Sequence, residues 1–227
     1  MRPESALAMA TPPNDLQGLT VYGSEESGSV AVEAALTLLG IDYALVEGAT
    51  WAEAEARERV APVNAMRQIP TLVLPGGETL TESAAILIWL ADRQPQARLA
   101  PPPDDAQRAQ FLRWMVFVSS AFYALHWIKP DVRRIGAPPA ARDAVVGAVH
   151  DRIAFCWAHM DSQLAPRTYL LGETLTVLDL YVTVVSRFGP WRERFYAAAP
   201  KMTPVVRRVD AEPRLQAFWA RRFPFDA

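Results

Sequence analysis

From residue 19 onward the chain alternates short apolar runs, bounded by turn residues, with longer segments whose apolar side chains return every three or four positions. Leu19-Thr20-Val21-Tyr22-Gly23 reads as a strand closed off by Gly18 and Gly23. The polar stretch 24–29 leads into a helix in which Val32, Ala35, Leu36 and Leu39 keep helical spacing, with Gly40 as its stop. Residues 43–46 read as a second strand. A strand, a helix and a strand within about thirty residues make a βαβ unit, whose strands run parallel. Residues 51–60 predict a second helix of modest amphipathicity. Two further strands, 71–74 and 79–81, flank Pro75-Gly76-Gly77-Glu78, a short loop with turn chemistry. A helix beginning at Glu82 or Ser83 then carries Ile86, Trp89 and Leu90 on one face and stops before Pro95.

Beyond that point the pattern is helical. Residues 94–105 hold four prolines and no periodicity, which marks a linker. Residues 111–128 are apolar almost all round; they fall short of the ~20 residues of a membrane span. Arg113, Ser119, Ser120 and His126 also interrupt the run, so it predicts one buried helix at the centre of a helical domain. Residues 138–164 place Val145, Val149, Ile153, Cys156 and Met160 on one face. Thr176 followed by Asp179 is a capping box in its Asp form, opening the apolar run 180–185. Short helices over 205–209 and 215–220 close the chain, and no internal repeat is visible. The order βαβ-α-ββ-α followed by helices predicts a thioredoxin-like N-terminal domain (18–94), a linker (95–105) and an all-helical C-terminal domain (106–227), behind a flexible tail (1–17).

Composition narrows the function. At 227 residues and 51% hydrophobic content the chain can bury a sizeable core. Lys and Arg total 23 against 25 Asp and Glu, a net charge of −2, which leaves no footprint for nucleic acid or an anionic membrane. The single cysteine, Cys156, cannot form an internal disulfide and fits a reducing compartment. The first 17 residues lack the basic start and apolar run of a signal peptide, so a cytoplasmic location is expected. No His/Cys/Asp cluster has metal-ligand spacing, so no metal is expected.

The densest signal is Asn64-Ala65-Met66-Arg67-Gln68-Ile69-Pro70-Thr71-Leu72, with Leu80-Thr81-Glu82-Ser83-Ala84-Ala85-Ile86 shortly after it. Proline has no N–H and a fixed φ, so a strand tolerates it at its entrance. A cis Ile69–Pro70 bond would turn the chain sharply and leave the backbone of Ile69 unpaired toward a cleft. This pair of motifs resembles the glutathione-binding core of the cytosolic glutathione transferase family, in its bacterial, serine-type (zeta- or beta-like) branches. Gly40-Ile41-Asp42-Tyr43 before it, and Tyr169-Leu170-Leu171-Gly172 with Thr176-Val177-Leu178-Asp179 after it, extend the resemblance over residues 18 to 190.

The resemblance implies glutathione as co-substrate, a small hydrophobic electrophile as second substrate and a homodimer. Glutathione carries a carboxylate at each end and one ammonium. Ile69, freed by Pro70, would pair its backbone with the cysteinyl part, as in strand addition. Ser83, at a helix N-terminus, would take the γ-glutamyl carboxylate. Glu82 would balance the ammonium, and Gln68 would add an amide contact. The thiol must also be ionised, since a free cysteine titrates near 8.5 and is only slightly thiolate at neutral pH. Gly28 stands where cysteine-type relatives carry their thiol and Gly23 where a tyrosine often sits, so the serine-type alignment nominates Ser27. Ser24, Ser29 and Tyr22 are the other hydroxyls, and helix capping explains Ser27 and Ser29 equally well. Trp114, Phe117, Tyr123 and Trp127 are the aromatic supply for a cleft wall, although an aromatic set at helical spacing more often belongs to a core, and His126 and His159 are expected to be partnered structural residues. The function expected is glutathione conjugation. Isomerisation of maleyl-type acids, weakened by Glu26 in place of a second serine, and a non-catalytic binding scaffold are the alternatives.

Overall fold

The structure, a computed structural model, describes residues 16–52, 54–188 and 192–224. Four strands, β1 (Leu19–Gly23), β2 (Tyr43–Glu47), β3 (Thr71–Val73) and β4 (Thr79–Leu80), form one sheet in the order β2-β1-β3-β4. β1 and β2 are parallel, with Leu19 opposite Tyr43. β3 runs antiparallel to β1, with Thr71 opposite Tyr22, and β4 returns along β3. The crossover helix α1 (Ser29–Leu39) is buried at every residue except Thr37, because it lies against the sheet and also against the helical half. Gly40 ends it in the left-handed conformation, φ 64°, which glycine adopts without a Cβ penalty. With α2 (Ala54–Val60) and α3 (Ser83–Arg93), the order βαβ-α-ββ-α read from the sequence is the order observed.

The helical domain contains α4 (Arg108–Phe117), α5 (Arg142–Gln163), α6 (Val177–Val185), α7 (Arg192–Ala198), α8 (Thr203–Asp210) and α9 (Gln216–Arg222). α6 is buried along its whole length and touches α1, α3, α4 and α8, so it joins the two domains. Its apolar sequence has no solvent face to serve. The capping box is present: Asp179 Oδ2 accepts from the Thr176 N–H at 2.8 Å and from its hydroxyl at 2.7 Å, while Oδ1 accepts from Leu170 N–H at 2.8 Å.

The helix expected over 111–128 is not continuous. α4 ends at Phe117, a π-helical turn spans Val118–Phe122, and a 3-10 segment covers Tyr123–Trp127. Ser120 donates its hydroxyl to the Val116 carbonyl at 2.8 Å, a local bond of the kind that disturbs a helical ladder. A widened turn also rotates every residue after it to a new direction. Smaller differences are that α2 begins at Ala54 rather than at residue 51, and that α7 carries no expectation at all. Of the expected tail, residues 1–15 lie outside the described residues, and Leu16 is buried in the core. Among the described residues no helix is long and apolar enough to cross a membrane, and no group of three or more His, Cys, Asp or Glu side chains is placed to hold a metal ion.

Candidate active site

A cleft of about 820 Å³ opens between the sheet domain and the helical domain. Ser27, Gln68, Ile69, Pro70, Glu82 and Ser83 all line it, although the sequence separates them by up to 56 positions (83 − 27). Gly28 lies on the same wall, and Tyr123, His126, Trp127 and Phe188 close the opposite side.

Asn64 organises the loop before β3. Its Nδ2 donates to Gln68 O at 3.0 Å and to Thr71 Oγ1 at 3.1 Å, and its Oδ1 accepts from Met66 N–H at 2.9 Å. Thr71 Oγ1 donates to Gln68 O at 3.1 Å. The Ile69–Pro70 bond is cis. Among the described residues the N–H and C=O of Ile69 make no hydrogen bond, so both are available to a ligand strand. Gln68 itself is exposed, with its side chain at the cleft edge.

Glu82 and Ser83 stand where α3 begins. Ser83 is buried and its Oγ lies 2.8 Å from the Tyr181 hydroxyl of α6, which ties this helix start to the helical domain. Glu82 is exposed at φ 65°. Glu26, Arg67 and Glu82 are three of the four described non-glycine residues with positive φ, and all three line the cleft. Backbone in that region costs an L-residue of order 1–3 kcal/mol and gathers at functional sites. No sequence pattern announces it.

Ser27 lines the cleft, but its single proton has two internal acceptors. Its hydroxyl donates to Ser24 O at 2.7 Å and lies 2.8 Å from Ser29 Oγ, while the oxygen accepts from Ser29 N–H at 3.1 Å. Ser29 in turn donates to the carboxylate of Glu33 at 2.8 Å. Glu33 is fully buried and paired with Arg222 of α9, whose Nε lies 2.8 Å away. The Arg222 carbonyl accepts from Glu26 N–H at 3.0 Å. The loop that precedes α1 is thus held by the last helix of the chain.

The two glycines are occupied by other groups. A Cβ on Gly23 would lie 2.5 Å from Ser29 Oγ, and one on Gly28 would lie 1.8 Å from the Tyr123 hydroxyl. Of the four aromatics weighed between cleft and core, Tyr123 and Trp127 line the cleft. Trp114 is buried in the core, and Phe117 packs edge-on against it with ring centroids 5.4 Å apart. His159 lies against Trp114 and Phe117. His126 departs from the expectation of a partnered structural histidine: its Nε2 is buried at the cleft without a hydrogen-bond partner among the described residues. Burial, aided by Lys129, holds its imidazole down at about 3, so the ring is neutral. Cys156 is buried in α5, where burial pushes its thiol up, and its Sγ lies 3.9 Å from the Ala121 carbonyl.

Residues 29–93 match the family of the glutathione S-transferase N-terminal domain. An uncharacterized GST-like protein, YncG of Escherichia coli (strain K12), is 32% identical over 200 residues, which cover 87% of this chain and 95% of that protein. Among solved structures, a glutathione transferase homolog from Sulfitobacter with bound glutathione aligns at a TM-score of 0.77 and 25% identity, over 90% of this chain and 98% of that one. A sphingomonad glutathione S-transferase complexed with glutathione aligns at 0.72 and 26% identity, over 91% and 100%.

Proposed function

Since the chain belongs to the glutathione S-transferase family, we infer that it binds glutathione in this cleft and joins the thiolate to a small hydrophobic electrophile. The observation that carries the reading is the unspent backbone of Ile69 facing the start of α3 across one cleft. Ile69 pairs with the cysteinyl part of the peptide, Ser83 and the α3 N-terminus hold the γ-glutamyl carboxylate, Glu82 balances the ammonium and Gln68 adds an amide contact. Pro70 fixes the loop from behind. The Sulfitobacter and sphingomonad structures, both with glutathione, support the same ligand here. Chemically, the thiol loses its proton, the sulfur lone pair forms a carbon–sulfur bond, and the electrophile releases a leaving group or becomes the adduct. Tyr123, Trp127 and Phe188 give the second substrate an apolar, aromatic wall. A cytoplasmic homodimer is part of the proposal: Leu112 and Val116 on α4 and Phe155 on α5 expose apolar surface that a second copy would cover, and a mass measurement in solution reads this directly.

Glutathione should raise the unfolding free energy by about 2.7 kcal/mol at a hundredfold excess over Kd, because only the folded protein offers the site. A melting scan with and without millimolar glutathione checks this, and an unmoved transition removes the whole reading. Ser27→Ala should change turnover with a generic aromatic electrophile by less than about threefold and leave the KM for glutathione within a factor of about two, because the Ser27 proton already goes to Ser24 O at 2.7 Å. A roughly tenfold or larger loss would return the thiolate hydrogen bond to Ser27. A protein that binds glutathione and turns nothing over would be the scaffold rather than the enzyme.

A further inference from the structure

Gly28 has φ −65° and ψ −18°, a conformation open to any residue, so its backbone does not call for glycine. What calls for it is space. The Tyr123 hydroxyl occupies the position a side chain would take: a Cβ there would lie 1.8 Å from Oη and 2.8 Å from Cζ. Tyr123 is the first residue after the π-helical turn, so the break in the predicted helix is what aims it at the start of α1. Its ring is held from two sides, stacked on Phe188 at 5.5 Å and edge-on to Tyr181 at 5.9 Å. Its hydroxyl makes no hydrogen bond to another described residue. The contrast with Ser27 and Ser29 is direct, since their protons go to Ser24 and Glu33.

We propose that Tyr123, a side chain of the helical domain, supplies the hydroxyl that donates to the sulfur of bound glutathione and holds it as thiolate. This rests on the glutathione reading above. It places the donor on the opposite side of the cleft from Ser27, with Gly28 as the residue that makes room for it. The phenol acts as donor and not as base, because burial first, and then the Glu82 carboxylate, keep its proton bound well above the ordinary tyrosine range. The thiol proton leaves to water and Tyr123 keeps its own, so no bond to the tyrosine forms or breaks. Glu82, Tyr181 and His126 are the titratable neighbours that the structure gives it.

The test is a spectroscopic pH titration of the thiolate of bound glutathione, together with steady-state kinetics, on the full chain. Tyr123→Phe removes the hydroxyl alone. It should raise the pKa of the bound thiol and lower kcat about 10- to 100-fold near neutral pH, with the KM for glutathione within about twofold, as fits the loss of a hydrogen bond to a charged group. Gly28→Ala should raise the thiol pKa in the wild-type background by displacing the hydroxyl, and should add nothing further in the Tyr123→Phe background. Superimposable titrations of wild type and Tyr123→Phe would overturn the proposal. So would a shift produced by Ser27→Ala but not by Tyr123→Phe, additive effects of the Gly28 and Tyr123 changes, or a wild type whose bound thiol titrates like the free one. Failure of the wild type to bind glutathione would instead bring down the reading on which the proposal stands. Melting curves without ligand separate a misfolded variant from an informative one.

Discussion

Arg222→Ala should destabilise the protein by about 3–5 kcal/mol, the cost of leaving a buried carboxylate without its partner. Arg222 is 4% exposed and Glu33 fully buried, and the guanidinium also reaches Glu47. Once the arginine is gone, Glu33 keeps the Ser29 hydroxyl at 2.8 Å and the Tyr43 hydroxyl at 3.3 Å, neither of which carries a positive charge. Such a charge is tolerated only when paired and hydrogen-bonded. Urea unfolding measures the loss, and the double variant Glu33→Leu/Arg222→Met identifies its source. The double variant should be less damaged than Arg222→Ala, because removing both charges abolishes the stranded one. A double variant as unstable as the sum of its parts would mean that packing, not charge pairing, holds α9 in place. The consequence reaches the cleft, since Glu33 anchors Ser29 and the Arg222 carbonyl anchors Glu26.

Asp179 should give the protein a stability that falls as pH rises from about 4 to above 6. Burial pushes its carboxyl up to about 6 from an ordinary 3.8, outweighing the hydrogen bonds from Leu170 and Thr176 that favour the charged form. The folded state therefore binds this proton more tightly than the unfolded chain. The contribution is fully present below about 4 and is lost as pH climbs through the folded value. The shift corresponds to about 3 kcal/mol. Asp179→Asn cannot ionise, so the advantage of the wild type over this variant should be largest near pH 4 and shrink by about that amount by pH 7. An advantage that grows with pH would show that the cap bonds outweigh burial. The amide also has one oxygen where the carboxylate has two, so one of the two N–H donors, Leu170 or Thr176, loses its acceptor at a cost of about 1–3 kcal/mol.

Much of the sheet domain, and the start of α6 in the helical domain, was legible because the signals are local. Gly40 as a left-handed stop, Pro70 at a strand entrance, the loop 75–78 and the Thr176–Asp179 box each depend on residues within a few positions of one another, and each constrains the backbone directly. The helix over 111–128 was misread for the opposite reason. A run that is apolar all round has no phase, so nothing in it marks the place where the ladder widens into a π turn. Without that turn the direction of Tyr123 cannot be inferred, and neither can the separation of Trp114, in the core, and Phe117, packed against it, from Tyr123 and Trp127, at the cleft.

What the sequence determined by itself was the order of elements in the sheet domain, and the family resemblance with the six cleft residues it nominates, Ser27, Gln68, Ile69, Pro70, Glu82 and Ser83. The order follows from spacing and from residue types whose backbone preferences are their own, and the cleft residues follow from the resemblance. What only the tertiary structure decided was which groups in that cleft still have a proton or a lone pair to offer. Ser83 meets Tyr181 across 98 positions and Glu33 meets Arg222 across 189, and the hydroxyl that fills the space above Gly28 comes from a different domain. A hydroxyl has one proton, and whether it is spent depends on acceptors that the chain brings up from far away. Gly23 and Gly28 appear in the sequence as absences; the fold shows them to be the room left for Ser29 and Tyr123.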